Sequence, residues 1–200
     1  MIDTYYKLIE SGDRVERLEG CLSGTLGFLL WELGRGRKFS AALRAAMARG
    51  YTEPDPREDL SGMDVGRKAL ILARLLGFQG ELSPRQVESL VPRAARRLGL
   101  EQFLRSLERF DGEWDRRVAA AAARGRVLRY VASVTRRSLQ VGLREVDRSS
   151  PFAGLKGADN TVVFTTARYK ANPLVITGPG AGPAVTAAGV LNDILQLGLS

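Results

Sequence analysis

The chain has 200 residues, of which 44% are hydrophobic and 26% charged, so it can bury a core without disulfides or metal ions. Its formal net charge of +8 is spread along the chain without any nucleic-acid-binding motif, and we expect a solvated basic surface and no nucleic-acid partner. Because histidine is absent, His-based metal sites and Ser-His or Cys-His nucleophile pairs are excluded, and we expect no metal site.

The first 77 residues predict helices around one strand, with a proline-containing loop before the last helix. The hydrophobic periods and turn residues predict a helix over 5–10, a strand over 14–22, a helix over 23–36, a helix from a Ser40 cap to residue 50, a loop over 51–62 and a helix over 61–77. The loop is predicted because Pro54 and Pro56 oppose regular helix.

The second half predicts a change from helices to strands after Gly125. Residues 79–100 are interrupted by Pro84 and Pro92, and their state is left open. Helices are predicted over 101–110 and 113–125, strands over 127–135, 138–147, 160–169 and 173–177, and a closing helix over 183–199. This order predicts one α+β domain over residues 1–200, in which a mainly antiparallel sheet carries helices on one face.

The compartment is suggested by three features. No apolar run approaches the roughly 20 residues that cross a bilayer, and the first 20 residues do not read as a secretory signal. The single Cys21 has no disulfide partner and fits a reducing compartment as a core residue. We therefore expect a cytoplasmic protein with no membrane segment.

One candidate site lies in YTEPDPREDLSGMDVGRK, residues 51–68. A loop rich in carboxylates, including Glu53 and Asp59, leads into a helix on which Asp64 and Lys68 are four residues apart and share a face. Fixed carboxylates can hold a substrate ammonium, while a lysine whose pKa is tuned by its neighbours exchanges a proton with a hydroxyl. The spacing also fits a Ser61-x-x-Asp64 capping box and a solvent-facing Asp64–Lys68 pair, and on spacing alone this structural interpretation is favoured.

A second candidate site is the glycine-rich stretch GPGAGPAVTAAGV, residues 178–190. Glycines between a strand and a helix allow a ligand to approach the backbone, and a helix N-terminus favours anions. The spacing is not that of the GxGxxG dinucleotide fingerprint. As a lone glycine-rich turn, the stretch favours a tight turn that packs a helix on the sheet.

Four segments together are similar to one enzyme family. They are LSGTLGFLL, GYTEPDPREDLSGMDVGRKALILAR, GRVLRYVASV and NTVVFTTARYKANPLVITGPGAGPAVTAAGVLNDIL. In this order and spacing they resemble the homoserine dehydrogenase family, including the dehydrogenase half of aspartokinase fusions, from residue 2 to the C-terminus. The resemblance implies NAD(P)-dependent interconversion of L-homoserine and L-aspartate 4-semialdehyde, in threonine, methionine and isoleucine biosynthesis.

The resemblance also implies roles for individual residues. Lys68 matches the proton donor for semialdehyde reduction, Asp64 the residue that orients it, and Glu53 the residue that binds the substrate ammonium. The remaining matches are substrate-binding Asp59, Thr25, Tyr51 and Gly24, and cofactor-binding Gly182 and Gly180.

Family enzymes begin with a Rossmann domain that binds most of the NAD(P), and this sequence does not contain one. We therefore expect the chain alone to be inactive or nearly so, unless a separate Rossmann-domain polypeptide completes it. The resemblance also implies a homodimer. The rival hypothesis is a non-catalytic dimerisation or interaction module that keeps the fold, but such a module would need none of Glu53, Asp64 and Lys68.

Overall fold

The computed structural model describes residues 1–198 as a five-stranded sheet with helices packed on one face. The α-helices are Ile2–Glu10 (α1), Gly24–Gly34 (α2), Phe39–Ala48 (α3), Pro56–Leu60 (α4), Met63–Leu75 (α5), Leu100–Arg105 (α6), Asp111–Ala123 (α7) and Pro183–Gly198 (α8). The strands are Val15–Cys21 (β1), Arg126–Val134 (β2), Leu139–Asp147 (β3), Asp159–Thr166 (β4) and Leu174–Pro179 (β5). Leu199, the last residue of the predicted closing helix, lies outside the described residues.

The sheet is antiparallel with strand order β3-β2-β1-β4-β5, so the first strand of the chain lies in its centre. Leu18 of β1 pairs with Val134 of β2 on one side and with Phe164 of β4 on the other. At one end of the sheet Cys21, the last residue of β1, pairs with Thr161 near the start of β4. The segments that follow β1 and β5 and precede β4 therefore meet at this end.

The main core lies between the sheet and the helices. Alternate strand residues face the helices, and their fully buried representatives include Leu18, Phe164 and Leu139, which pack with helical residues such as Leu29 and Phe103. Burial of these side chains supplies most of the favourable free energy of folding. The predicted α+β class, with an antiparallel sheet and helices on one face, is confirmed.

The other face of the sheet carries a smaller apolar cluster. Cys21, Val131 and Val163 pack there under Phe152 and Leu155, which belong to the connection between β3 and β4. Cys21 is thus a core residue, as predicted.

Arg129 of β2 fixes the connection that covers this second face. Its guanidinium donates to the carbonyls of Phe152 at 2.9 Å and Ala153 at 2.8 Å. Burial lowers the pKa of Arg129 below its ordinary value, although the charge remains. The connection between β3 and β4 is therefore attached to the sheet by hydrogen bonds from a buried guanidinium to its backbone carbonyls.

Two local predictions were wrong. The segment 51–62 is not all loop, because Asp55 caps α4 by accepting from the N–H of Arg57 at 3.0 Å, and Pro56 occupies a first-turn position where no N–H is needed. Ser40 is not a helix cap: α3 begins at Phe39, and both the N–H and the hydroxyl of Ser40 bond to the carboxylate of Asp111 at 2.8 Å.

The segment left open contains short 3-10 turns, Pro84–Gln86 and Arg93–Ala95, with Val87 forming a parallel bridge to Val141 of β3. The helix predicted over 101–110 is divided into α6 and a 3-10 turn, Leu107–Phe110. Within residues 1–198, no helix has both the length and the apolar character that a membrane crossing requires.

Candidate active site

A cavity of about 580 Å³ opens at the end of the sheet where β1, β4 and β5 meet. Every residue for which the sequence predicted a substrate, cofactor or catalytic role lines it. These residues are Gly24, Thr25, Tyr51, Glu53, Asp59, Asp64, Lys68, Gly180 and Gly182. Glu53 and Lys68 therefore share one cavity, although they come from different elements. Their individual roles stay predictions.

Lys68, a residue of α5, is held by two contacts. Its Nζ lies 2.8 Å from the Asp64 carboxylate, one turn earlier, and donates to the carbonyl of Leu22 at 3.3 Å. An ammonium has three N–H groups, so one remains for a ligand in the cavity. Because both side chains are about half exposed, the pair adds little to stability. Its effect is to fix the position of the amine.

The start of α5 does not follow the capping-box interpretation. Gly62, not Ser61, precedes the helix, with a φ of +72° that glycine adopts without strain. The Ser61 hydroxyl accepts from the N–H of Met63 at 3.2 Å, while Asp64 bonds to Lys68. The alternative of an exposed i, i+4 pair is correct as a description of geometry, and the same pair lines the cavity.

Asp59 organises the loop that carries Glu53. One carboxylate oxygen lies 3.0 Å from the hydroxyl of Thr25, and the other accepts from the backbone N–H of Glu53 at 2.9 Å. The Thr25 hydroxyl also bonds to the carbonyl of Tyr51. Asp59 thus joins the start of α2 to the acidic loop and keeps the Glu53 backbone in place.

The loop is anchored behind the cavity by Arg57. Its guanidinium forms a bidentate contact with Asp55 and donates to the carbonyl of Leu98 at 2.5 Å. The hydrogen bonds from Arg57 hold the pKa of the Asp55 carboxyl below its usual range, despite partial burial. Asp55 therefore stays ionised and has a structural role. Its carboxylate binds Arg57 and does not line the cavity.

The glycine-rich stretch packs closely on β4. A Cβ added at Gly180 would lie 1.9 Å from Nδ2 of Asn160, so no larger residue fits without movement. Gly182 has a φ of +127°, a conformation that other residues rarely adopt. Gly180 thus packs on a side chain of the same chain, whereas a Cβ added at Gly182 would meet nothing within 4 Å. That a ligand approaches this backbone stays a prediction.

A neighbouring cavity of about 340 Å³ shares Leu22, Lys68, Asn160, Pro179 and Gly180 with the first. Its remaining lining is mostly apolar and comes largely from β4 and β5. These residues are Met1, Val162, Ile176, Thr177 and Gly178. Lys68 thus lies at the junction of a cavity that contains several charged side chains and a mostly apolar one.

Asn160 and Arg49 are among the lining residues that the sequence reasoning missed. Asn160 has a buried Oδ1 with no hydrogen-bond partner within the described part of the chain, which makes it available to a ligand donor. Arg49 lines the cavity with its guanidinium 4.9 Å from the ring of Phe28. Neither carried a sequence signal, because Asn160 needs the β4–β5 register and Arg49 needs the α3–α4 connection to be known.

Comparison with known proteins gives a consistent result. The homoserine dehydrogenase family profile matches residues 1–195. The chain is 48% identical to a bifunctional aspartokinase/homoserine dehydrogenase of Zea mays, over 98% of this chain and 22% of that protein. A Candida auris protein of unknown function has a TM-score of 0.89 and 42% identity, over 98% of this chain and 57% of that one.

A hyperthermophilic archaeal homoserine dehydrogenase mutant, solved in complex with NADPH, is also similar. It has a TM-score of 0.70 and 26% identity, over 100% of this chain and 52% of that one. The present chain thus spans between about a fifth and somewhat more than half of the length of these proteins.

Proposed function

The chain belongs to the homoserine dehydrogenase family, and we propose that it binds the substrate and transfers the proton in the NAD(P)-dependent interconversion of L-homoserine and L-aspartate 4-semialdehyde. The observation that carries this proposal is that Glu53 and Lys68 line one cavity. The reaction belongs to the biosynthesis of threonine, methionine and isoleucine.

The cavity offers a partner for each polar group of the amino alcohol. Glu53 binds the ammonium, with Asp59 on the same wall of the cavity. Lys68 forms a hydrogen bond with the oxygen on C4. The carboxylate is placed at the N-terminus of α2, where the N–H groups of Gly24 and Thr25 have no partner in the helix and the helix dipole is positive. Tyr51 lines the same cavity.

Lys68 handles the proton at the C4 oxygen. In reduction its ammonium donates a proton to the carbonyl oxygen as the C4–H bond forms, and in oxidation the neutral amine takes the proton of the hydroxyl. Asp64 and the Leu22 carbonyl hold Nζ in place in both directions. NAD(P), when bound, supplies or accepts the hydride.

Several observations support NAD(P) as the cofactor. A Cβ added at Gly182 would meet nothing within 4 Å, so the backbone there is open to a ligand, and the apolar cavity beside Lys68 suits a nicotinamide ring. The unpartnered Oδ1 of Asn160 can accept a hydrogen bond from such a ligand. The archaeal relative solved with NADPH agrees with this choice.

We propose that a Rossmann domain, in the same or a separate polypeptide, binds most of the cofactor and covers α8. No residue of α8 is buried, and Val190, Leu191, Ile194 and Leu195 are all more than half exposed directly after the glycine-rich stretch. Without that domain, the chain has little or no activity. A homodimer and a cytoplasmic location are also proposed, the latter because the lone Cys21 suits a reducing compartment.

The proposal is tested in the chain joined to the dinucleotide-binding domain of a relative. With L-homoserine and NADP⁺ we expect turnover, and Glu53→Gln should raise the KM for homoserine at least tenfold, since a charged hydrogen bond contributes roughly 1.5–3 kcal/mol. The matched control is Glu58→Gln, an exposed carboxylate outside the cavity. Absence of turnover in the unmodified enzyme would instead favour the non-catalytic module.

A further inference from the structure

A third cavity, of about 620 Å³, shares no lining residue with the two at the active site. It lies between residues 87–96 and the first turns of α7. The proposed function uses none of these residues. A cavity of this size is sufficient for a small organic molecule.

The lining combines free cations with an apolar wall. Arg93 and Arg96 are exposed and form no ion pair with any residue in 1–198, whereas Arg117 lies 2.8 Å from Glu113. Glu88, the other acidic lining residue, accepts from the N–H of Leu143 at 3.0 Å. Two guanidinium groups therefore remain for a ligand, and the planar guanidinium suits carboxylate or phosphate oxygens.

The apolar wall is formed by Leu90, Val91, Phe110 and Trp114. Trp114 is 2% exposed, and its ring is stacked on Phe39 with 5.3 Å between centroids. This packing fixes the wall against which the apolar part of a ligand would lie. Together the two parts of the cavity fit an organic anion better than a free inorganic one.

The wall of this cavity is bonded to the elements that carry the active-site residues. The N–H of Leu90 donates to the carbonyl of Leu60 at 2.8 Å, one residue after Asp59. The Tyr130 hydroxyl donates to the carbonyl of Glu88 at 2.5 Å and packs on Gly62, two residues before Asp64. A displacement of residues 88–90 would therefore be transmitted through these contacts to the junction of α4 and α5.

We propose that this cavity is a regulatory site for a small organic anion, a carboxylate or phosphate ester with an apolar body, and that its occupation shifts the α4–α5 junction. Binding of the ligand does not depend on the proposed catalytic function, whereas the regulatory effect rests on it. Such a ligand changes the activity only to the extent that it binds two arrangements of the junction unequally.

The test is a titration of the ¹⁵N-labelled full chain, followed by NMR, with phenyl phosphate, phenylacetate, phenol and inorganic phosphate. At least one of the two aromatic acids should bind at least fivefold more tightly than both phenol and inorganic phosphate. The signals of Val91 and the Trp114 indole should shift, together with the amides of Leu60 and Gly62. Whichever acid binds more tightly identifies the ligand as a carboxylate or a phosphate ester.

The matched variants change charge by the same amount. Arg93→Glu with Arg96→Glu should weaken binding at least tenfold, whereas Arg136→Glu with Arg137→Glu, on the exposed β2–β3 turn, should change it less than twofold. If both double variants weakened ligand binding equally, the effect would come from the net charge of the chain, and the proposed site would be wrong. Shifts confined to residues 87–96 and 110–117 would overturn the link to the active site.

Discussion

The carboxylate of Asp59 accepts a hydrogen bond from the backbone N–H of Glu53, with 2.9 Å between the two atoms. Its other oxygen lies 3.0 Å from the Thr25 hydroxyl, so one side chain connects the acidic loop with the start of α2. The position of Glu53 in the cavity thus depends on Asp59.

Asp59→Asn should therefore disturb substrate binding more than the chemical step. We expect the KM for L-homoserine to rise about tenfold with kcat within about threefold, because a hydrogen bond to a charged group is worth roughly 1.5–3 kcal/mol. Steady-state kinetics of the joined enzyme, the chain fused to the dinucleotide-binding domain of a relative, measure both KM and kcat. The control is Asp115→Asn, which removes the surface pair with Lys38. A fall in kcat at constant KM would contradict the loop-ordering role.

Gly62→Ala should destabilise the chain by about 2–4 kcal/mol, which combines the cost of a left-handed conformation with overpacking. An added Cβ would lie 1.8 Å from the hydroxyl oxygen of Tyr130. Gly36 has a similar φ of +86° but open space around it, so Gly36→Ala should cost only about 1–2 kcal/mol.

Chemical denaturation compares these variants. Combining Gly62→Ala with Tyr130→Phe removes the oxygen that the new Cβ would meet, and should recover part of the overpacking loss. Equal losses for the Gly62 and Gly36 variants would mean that the contact with Tyr130 has no energetic weight.

Cys21 should be unreactive in the folded chain. Burial raises the pKa of its thiol to about 12, against a smaller opposing effect of Arg129, so almost no thiolate is present at pH 8. Since it is the single cysteine, reaction with a disulfide reagent reports on this site alone. We expect no fast reaction in buffer and one equivalent in denaturant. Rapid reaction of the native chain would show that the second face of the sheet is open.

Asp13 should make stability depend on acid pH. Burial opposes ionisation, but hydrogen bonds from the Thr166 hydroxyl at 2.7 Å and from the N–H groups of Arg14 and Arg168 outweigh it, and the pKa of Asp13 lies below its ordinary value. Its stabilisation is therefore full above the unfolded-state pKa of about 3.9 and is lost as pH falls through the lower folded-state value.

Urea unfolding at pH 7 and pH 3 tests this prediction. Asp13→Asn should be less stable than the parent chain at pH 7, and the difference should shrink at pH 3. Asp3→Asn, on the exposed first turn of α1, is the control. An equal loss of stability on acidification in the parent and the Asp13 variant would rule out this source of pH dependence.

Much of the fold follows from local patterns, because alternating apolar residues identified the strands and helical periods the main helices. The candidate site was predicted from the family resemblance, which pairs Glu53 with Lys68, and the structure adds that both residues line one cavity. Asn160 was missed because its contact with Gly180 depends on the pairing of two strands. The loop predicted over 51–62 was wrong at Pro56, because a proline can begin a helix when the preceding residue caps it, as Asp55 does here.

The most direct test of the account is the rate of NADPH oxidation with L-aspartate 4-semialdehyde in the joined enzyme after Lys68→Ala. Loss of the general acid should lower kcat by roughly 10²–10⁴, while the unfolding midpoint stays nearly unchanged because the pair with Asp64 is half exposed. Arg105→Ala, which breaks an exposed i, i+4 pair with Glu101 outside the site, should leave both unchanged. Parent-like turnover in Lys68→Ala would contradict the proton-transfer role and with it the proposed mechanism.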